Sequence, residues 1–157
     1  MDSVNFFVKE SIESGIIEVD EKEYKYYILH SPFGTLNGYI LFPKRITAEK
    51  DYNGILTYVP VHGGITFCHE YEEGILYGFD TGHCDSNEYP IDDTKWIKEQ
   101  IIVMTKGILK AAEVEKEYLA SQENDVRARY AQLVQDIGEP EQRRNFGVNI
   151  KLLLGEL

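Results

Sequence analysis

The hydrophobic period of this chain changes once, at Pro90, and that change constrains the fold more than any other feature. Beyond it, Ile97, Ile101, Met104, Ile108 and Ala111 recur at spacings of four, three, four and three, the stripe of an amphipathic helix. Asp92, Asp93 and Thr94 precede the stripe and offer capping oxygens and negative charge at the positive end of such a helix. The spacing predicts a helix from Lys95 to about Ser121. A second is expected near Asn124–Ile137, on Val126, Tyr130, Leu133, Val134 and Ile137, ending at Gly138. Pro140 suits the first position of a third, with Phe146, Ile150, Leu153 and Leu154 as its apolar face.

Before Pro90 the chain reads as strands. "EYKYYILHS", Glu23–Ser31, is rich in aromatic and β-branched residues and stops at the turn signal Pro32-Phe33-Gly34. "TLNGYILFP", Thr35–Pro43, follows, and the two predict an antiparallel pair. "GILTYVPVHGGITF", Gly54–Phe67, holds two more short apolar runs, broken by Pro60 and by Gly63-Gly64. "GILYGFDTG", Gly74–Gly82, is a further strand, reached through a polar turn at His69–Glu73. Lys44–Asn53 is polar and reads as a loop or a short helical turn.

Strands ahead of helices predict an α+β domain. We expect a small antiparallel β-sheet in the N-terminal half, packed by the long helix and one or two C-terminal helices. The 157 residues suit a single domain, 1–157, with 1–90 mainly strands and loops and 91–157 mainly helical. That length buries a core without metal or disulfide staples. The apolar end "NIKLLLGEL" points to a homo-oligomer, because exposed apolar surface of that extent marks association.

A formal charge of −11 argues against direct nucleic-acid binding, which needs a basic footprint. The same charge maintains solubility, and it would also let the surface occupy the basic groove of another protein. No apolar run reaches the roughly 18 residues of a membrane helix. The start, "MDSVNFFVKESIESG", lacks a basic n-region, an apolar h-region and a small-residue cleavage site. A cytoplasmic protein is expected, with Cys68 and Cys84 as reduced thiols.

Candidate chemistry concentrates in "VHGGITFCHEYEEGILYGFDTGHCD", Val61 to Asp85, with three of the four histidines and both cysteines. His62, Cys68, His69, Asp80, His83, Cys84 and Asp85 are all metal-ligand types. No pair has the spacing of a structural zinc motif. The adjacent pairs Cys68-His69 and His83-Cys84 would also point to opposite faces of a strand. His62, Asp80 and His83 remain the best set for zinc or another divalent ion, with Asp85 as a base; the leading expectation is no cofactor.

Two other readings use the same residues. In one, they hold a corner: the glycines take angles that other residues avoid, and Asp80 and Thr81 bond backbone amides. His62 would then meet Asp80 across the sheet. In the other, His62, Asp80, His83 and Asp85 line a pocket walled by Phe67, Tyr77 and Phe79, the usual mixture of a small-molecule site. Nucleobases suit such walls. A phosphate would need the amides of Gly63 and Gly64, or Arg143 and Arg144. The chain has no nucleophile elbow, P-loop or dinucleotide fingerprint, so enzyme status is weakly supported.

The order "VHGGITF", then "YGFDTGH" with Asp85 soon after, then an acidic turn into "WIKEQIIVMTKGI", resembles a family of small proteins encoded in many bacteriophage genomes and prophages. His62, Gly63, Gly64, Thr66, Gly78, Phe79, Asp80, His83 and Asp85 carry the resemblance, over about Pro60 to Lys110. The family has a tryptophan-rich run where this chain has "GILY", so no role carries over to that wall. The resemblance implies a phage origin and favours a site over a mere corner. The expected function is a phage-encoded accessory protein acting in the host cytoplasm. It would sequester a small nucleotide-like ligand, or block a host defence protein, through His62, Gly63, Gly64, Thr66, Phe79, Asp80, His83 and Asp85. A metal-dependent hydrolase and a structural or self-assembly protein are the alternatives.

Overall fold

The structure, a computed structural model, describes residues 2–48, 52–82 and 88–121. The helices expected after Ser121 lie outside the described residues, as do Lys50, His83, Cys84, Asp85, Arg143 and Arg144.

A short helix α1, Asn5–Glu10, leads into strands β1, Glu13–Val19, β2, Lys22–His30, and β3, Leu36–Phe42. After a 3₁₀ turn at Gly54–Tyr58 come β4, Phe67–Tyr71, β5, Gly74–Asp80, and the long helix α2, Thr94–Ser121. The sheet has the order β1-β2-β3-β5-β4, and every neighbouring pair is antiparallel. The expected α+β arrangement is what the chain adopts. No helix among the described residues is long and apolar enough to cross a membrane.

Alternation along the strands gives the sheet two buried faces. Ile17, Tyr26, Ile28, Ile40, Phe42, Ile75, Tyr77 and Phe79 share one cluster with Ile97, Ile101, Met104 and Ile108 of α2. Those four helical residues lie within the predicted stripe and are wholly buried. The other face is smaller. There Tyr27, Leu29, Leu41 and Leu76 pack with Val4 and Phe7, and the Phe7 ring meets Tyr39 edge-on at 4.9 Å and Phe67 at 5.9 Å. A helix of six residues is too short to hold itself together in water; this one is held by Phe7.

Close approach of α2 to the sheet requires Gly38. A Cβ there would lie 2.5 Å from a Phe79 ring carbon and 2.8 Å from Ile101 Cγ1. Gly38→Ala is expected to destabilise the fold by about 1–3 kcal/mol through overpacking, measured by chemical denaturation. Full stability in that variant would mean the helix rides further from the sheet.

Two local expectations are corrected. Neither apolar run of Gly54–Phe67 is a strand along its length; the segment is the 3₁₀ turn followed by irregular chain, and only its last residue, Phe67, opens β4. Leu56, Val59, Val61 and Ile65 are nonetheless buried in the core cluster between sheet and helix, so their apolar character serves packing rather than pairing. Val59 lies so close to α2 that its Cγ1 would be 2.6 Å from a Cβ at Gly107. The polar turn is also shorter than expected, because His69, Glu70 and Tyr71 belong to β4 and pair with Leu76, Ile75 and Gly74.

Candidate functional site

Val61 to Gly64 form a tight turn, closed by the Gly64 N–H donating to the Val61 oxygen at 2.8 Å. Gly63 and Gly64 have φ of 72° and 80°, where a side chain is disfavoured. The turn is fixed to the helix behind it. The His62 N–H donates to Gln100 Oε1 at 2.9 Å, and Gln100 is buried.

The His62 ring, only 2 % exposed, lies against two aromatic rings. Tyr89 meets it at 5.0 Å and Trp96 at 5.3 Å, both edge-on. Tyr89 and Trp96 are themselves nearly parallel, at 14° and 6.0 Å between centroids, and both are half-buried. A compact turn brings them together: Ile91 N–H donates to the Tyr89 oxygen, and Asp93 N–H to the Pro90 oxygen. Asp93 then caps α2, its Oδ1 accepting the Lys95 N–H at 2.9 Å. Trp96 therefore stands in the first turn of the helix, facing back over His62.

The other predicted site residues divide. Thr66 is exposed, and its N–H donates to the Gly78 oxygen at 2.9 Å. Phe79 is core, 1 % exposed among the helix-face residues. Asp80, the next residue, takes the other side of the sheet, opposite Asn37. There, burial first and the Asp80 charge after it push the Tyr39 hydroxyl above its ordinary range, while the Asn37 amide pulls the other way. Thr81 behaves as a corner residue, its buried hydroxyl donating to the Leu36 oxygen at 2.9 Å. Of the predicted set, His62, Gly63 and Gly64 stand together, Thr66 follows on the same loop, and His83 and Asp85 are outside the described residues.

The aromatic walls differ from expectation. Phe67 packs on the α1 side of the sheet, and Tyr77 is buried in the core with Phe79. The rings beside His62 are Tyr89 and Trp96, flanking Pro90, and Gln100 behind them was also missed. The alternation argument for Cys68 and His69 holds: Cys68 packs with the helix-face cluster, whereas His69 shares the α1 side with Tyr71, ring to ring at 4.6 Å. Among the described residues no group of three or more His, Cys, Asp and Glu side chains is placed to hold a metal ion.

The α1 side carries a cleft of about 570 Å³, whose walls include Phe6, Phe7, Tyr39 and Phe67, with Asn37 and His30 as polar groups. The sheet thus separates this cleft from the glycine turn, which is fixed to α2. No protein-family model, curated protein or solved structure matches this chain.

Proposed function

We propose that the protein is a binding module that captures a small nucleotide-like molecule at the corner formed by His62, Gly63, Gly64, Tyr89 and Trp96. One observation carries the reading: a buried imidazole held against two half-buried, near-parallel rings, beside a turn of two glycines. Aromatic faces take up nucleobases at about 1–3 kcal/mol per base by stacking. A Cβ at Gly64 would meet nothing within 4 Å, so the main chain there is approachable, as a ligand contacting backbone requires. The Gln100 bond fixes the turn before any ligand arrives, which reduces the ordering cost of binding. Such a module fits the phage accessory role suggested by the resemblance, acting in the host cytoplasm by withdrawing a signalling nucleotide from circulation.

Trp96 is the chain's one tryptophan, so the site reports on itself. Titration with adenosine and guanosine monophosphates and cyclic monophosphates is expected to quench its emission saturably with at least one of them. Tyr89→Ala should weaken that binding about tenfold, the loss of one stacking face, with the circular dichroism spectrum unchanged. Emission that stays constant across the series to about 1 mM, a binding energy of only about 4 kcal/mol, would overturn the reading.

A further inference from the structure

Among the described residues the first strand leaves its outer side unpaired, and the chain geometry says which atoms it offers. β1 and β2 are joined by Asp20 and Glu21, both at positive φ, 52° and 65°, with Val19 opposite Lys22. In a two-residue hairpin of this kind the flanking residues exchange hydrogen bonds, and bonded and non-bonded pairs alternate from there. Val19, Ile17, Gly15 and Glu13 therefore bond β2. Ser14, Ile16 and Glu18 are left directing their N–H and C=O groups away from the sheet.

That edge carries only part of the usual protection, the two charges of Glu13 and Glu18. β1 reads ESGIIEV, with neither proline nor lysine to deter pairing. Ser14, Ile16 and Glu18 are exposed, and Ile16 is 57 % exposed despite being a large aliphatic residue. Ile12, just before the strand, is exposed as well.

We propose that β1 is a self-docking edge, through which two copies of this chain pair antiparallel about a two-fold axis at Ile16 and join their five-stranded sheets into one. That register sets like against like at the axis and keeps the carboxylates apart. Ile16 opposes Ile16, a bonded pair, and Ser14 opposes Glu18 in the bonded pairs on either side. An axis at Gly15 would set Ile16 against Ser14 and Glu18 against Ile12, and one at Ile17 would set Glu13 against Glu21 of the second copy. Charges agree with the register too. Glu13 falls opposite Val19 of the second copy, in the row that holds that copy's Lys22, and no carboxylate faces another. Isologous pairing of this kind closes on itself and leaves no further β1 edge.

The test is sedimentation velocity of the full chain from about 1 to 200 µM, the range in which an interface of modest area is populated. A reversible dimer is expected. Ile16→Asp, which sets two like charges face to face at the axis, should weaken it about 100-fold or more. Phe33→Asp, 93 % exposed in the turn between β2 and β3 and away from this edge, should leave it unchanged. Both variants should keep the parent's circular dichroism spectrum and, at concentrations where the parent is monomeric, its melting temperature. Because two chains of charge −11 repel, added salt should strengthen the dimer. Ile16→Cys treated with a short bis-maleimide should give peptides joined from residue 16 to residue 16. A monomer throughout the range, a dimer unaffected by Ile16→Asp, or a dimer dissolved by salt would overturn the assignment.

Discussion

Phe79→Ala is expected to cost about 3–5 kcal/mol of folding stability, the range for truncating a fully buried aromatic residue. The sequence places this residue in a motif, between Gly78 and Asp80, where it reads as a ligand wall. Its burial says otherwise: 1 % exposed, on the helix face, with a ring carbon 2.5 Å from where a Cβ on Gly38 would stand. The loss has two parts, the lost transfer of the ring from water and the cavity left between sheet and helix. Chemical denaturation measures it, and the melting temperature should fall by about 10 °C. A loss under about 1 kcal/mol would remove Phe79 from the core. The geometry supplies a second check. Truncating the ring removes one of the two contacts that Gly38 keeps clear, so Gly38→Ala should cost less in the Phe79→Ala background than alone, with the approach to Ile101 Cγ1 at 2.8 Å remaining. Additive losses in that cycle would show that the two positions do not share the space.

How much of this was legible follows from how strongly each segment buries one periodic face. β2, β3 and β5 each bury most of their residues, and α2 buries an unbroken stripe, so their apolar patterns are dense and readable. β1 buries only Ile17 and Val19, too short an alternation to announce a strand. Its hairpin turn is made by Asp20-Glu21, without the glycine that ordinarily marks such turns. Helix α1 buries one residue, Phe7, and owes its existence to a cluster of rings drawn from β2, β3 and β4. No local pattern encodes that.

The site shows the same division. His62 and the glycine turn stood out by residue type, and the opposite orientations of Phe79 and Asp80 follow from strand arithmetic alone. Tyr89 and Trp96 did not stand out as partners of His62. They sit twenty-seven and thirty-four residues further along the chain, and the 3₁₀ turn and the capped start of α2 bring the two stretches together. Gln100 was invisible for a related reason: a polar residue on a helix reads as solvated until the turn that needs its oxygen is placed beside it.

Raising the pH from about 10 to 12 is expected to unfold the protein, with tyrosine ionisation and loss of structure occurring together. The Tyr26 and Tyr77 hydroxyls are both pushed up to about 12. For Tyr26 burial is the main cause, followed by its bond to Glu13 Oε2 at 2.8 Å and that group's charge. For Tyr77 burial again leads, then Cys68, with Thr47 and Arg45 pulling the other way. Tyr24, Tyr27, Tyr39 and Tyr71 are raised as well, all chiefly by burial. In the unfolded chain a tyrosine titrates near 10. The native state therefore keeps its protons longer, and the associated stability is complete below about pH 10 and is lost as the pH climbs towards 12. For the wholly buried Tyr77 that loss is on the order of 2 kcal/mol, a large share of the stability of a small domain. Absorbance of tyrosinate followed beside circular dichroism tests this. The two signals should share one transition, and Tyr77→Phe, which removes the most deeply buried of these hydroxyls, should move it to higher pH. Tyrosines that ionise smoothly near pH 10 while the fold persists would show that their hydroxyls reach water, against the packing of both faces of the sheet.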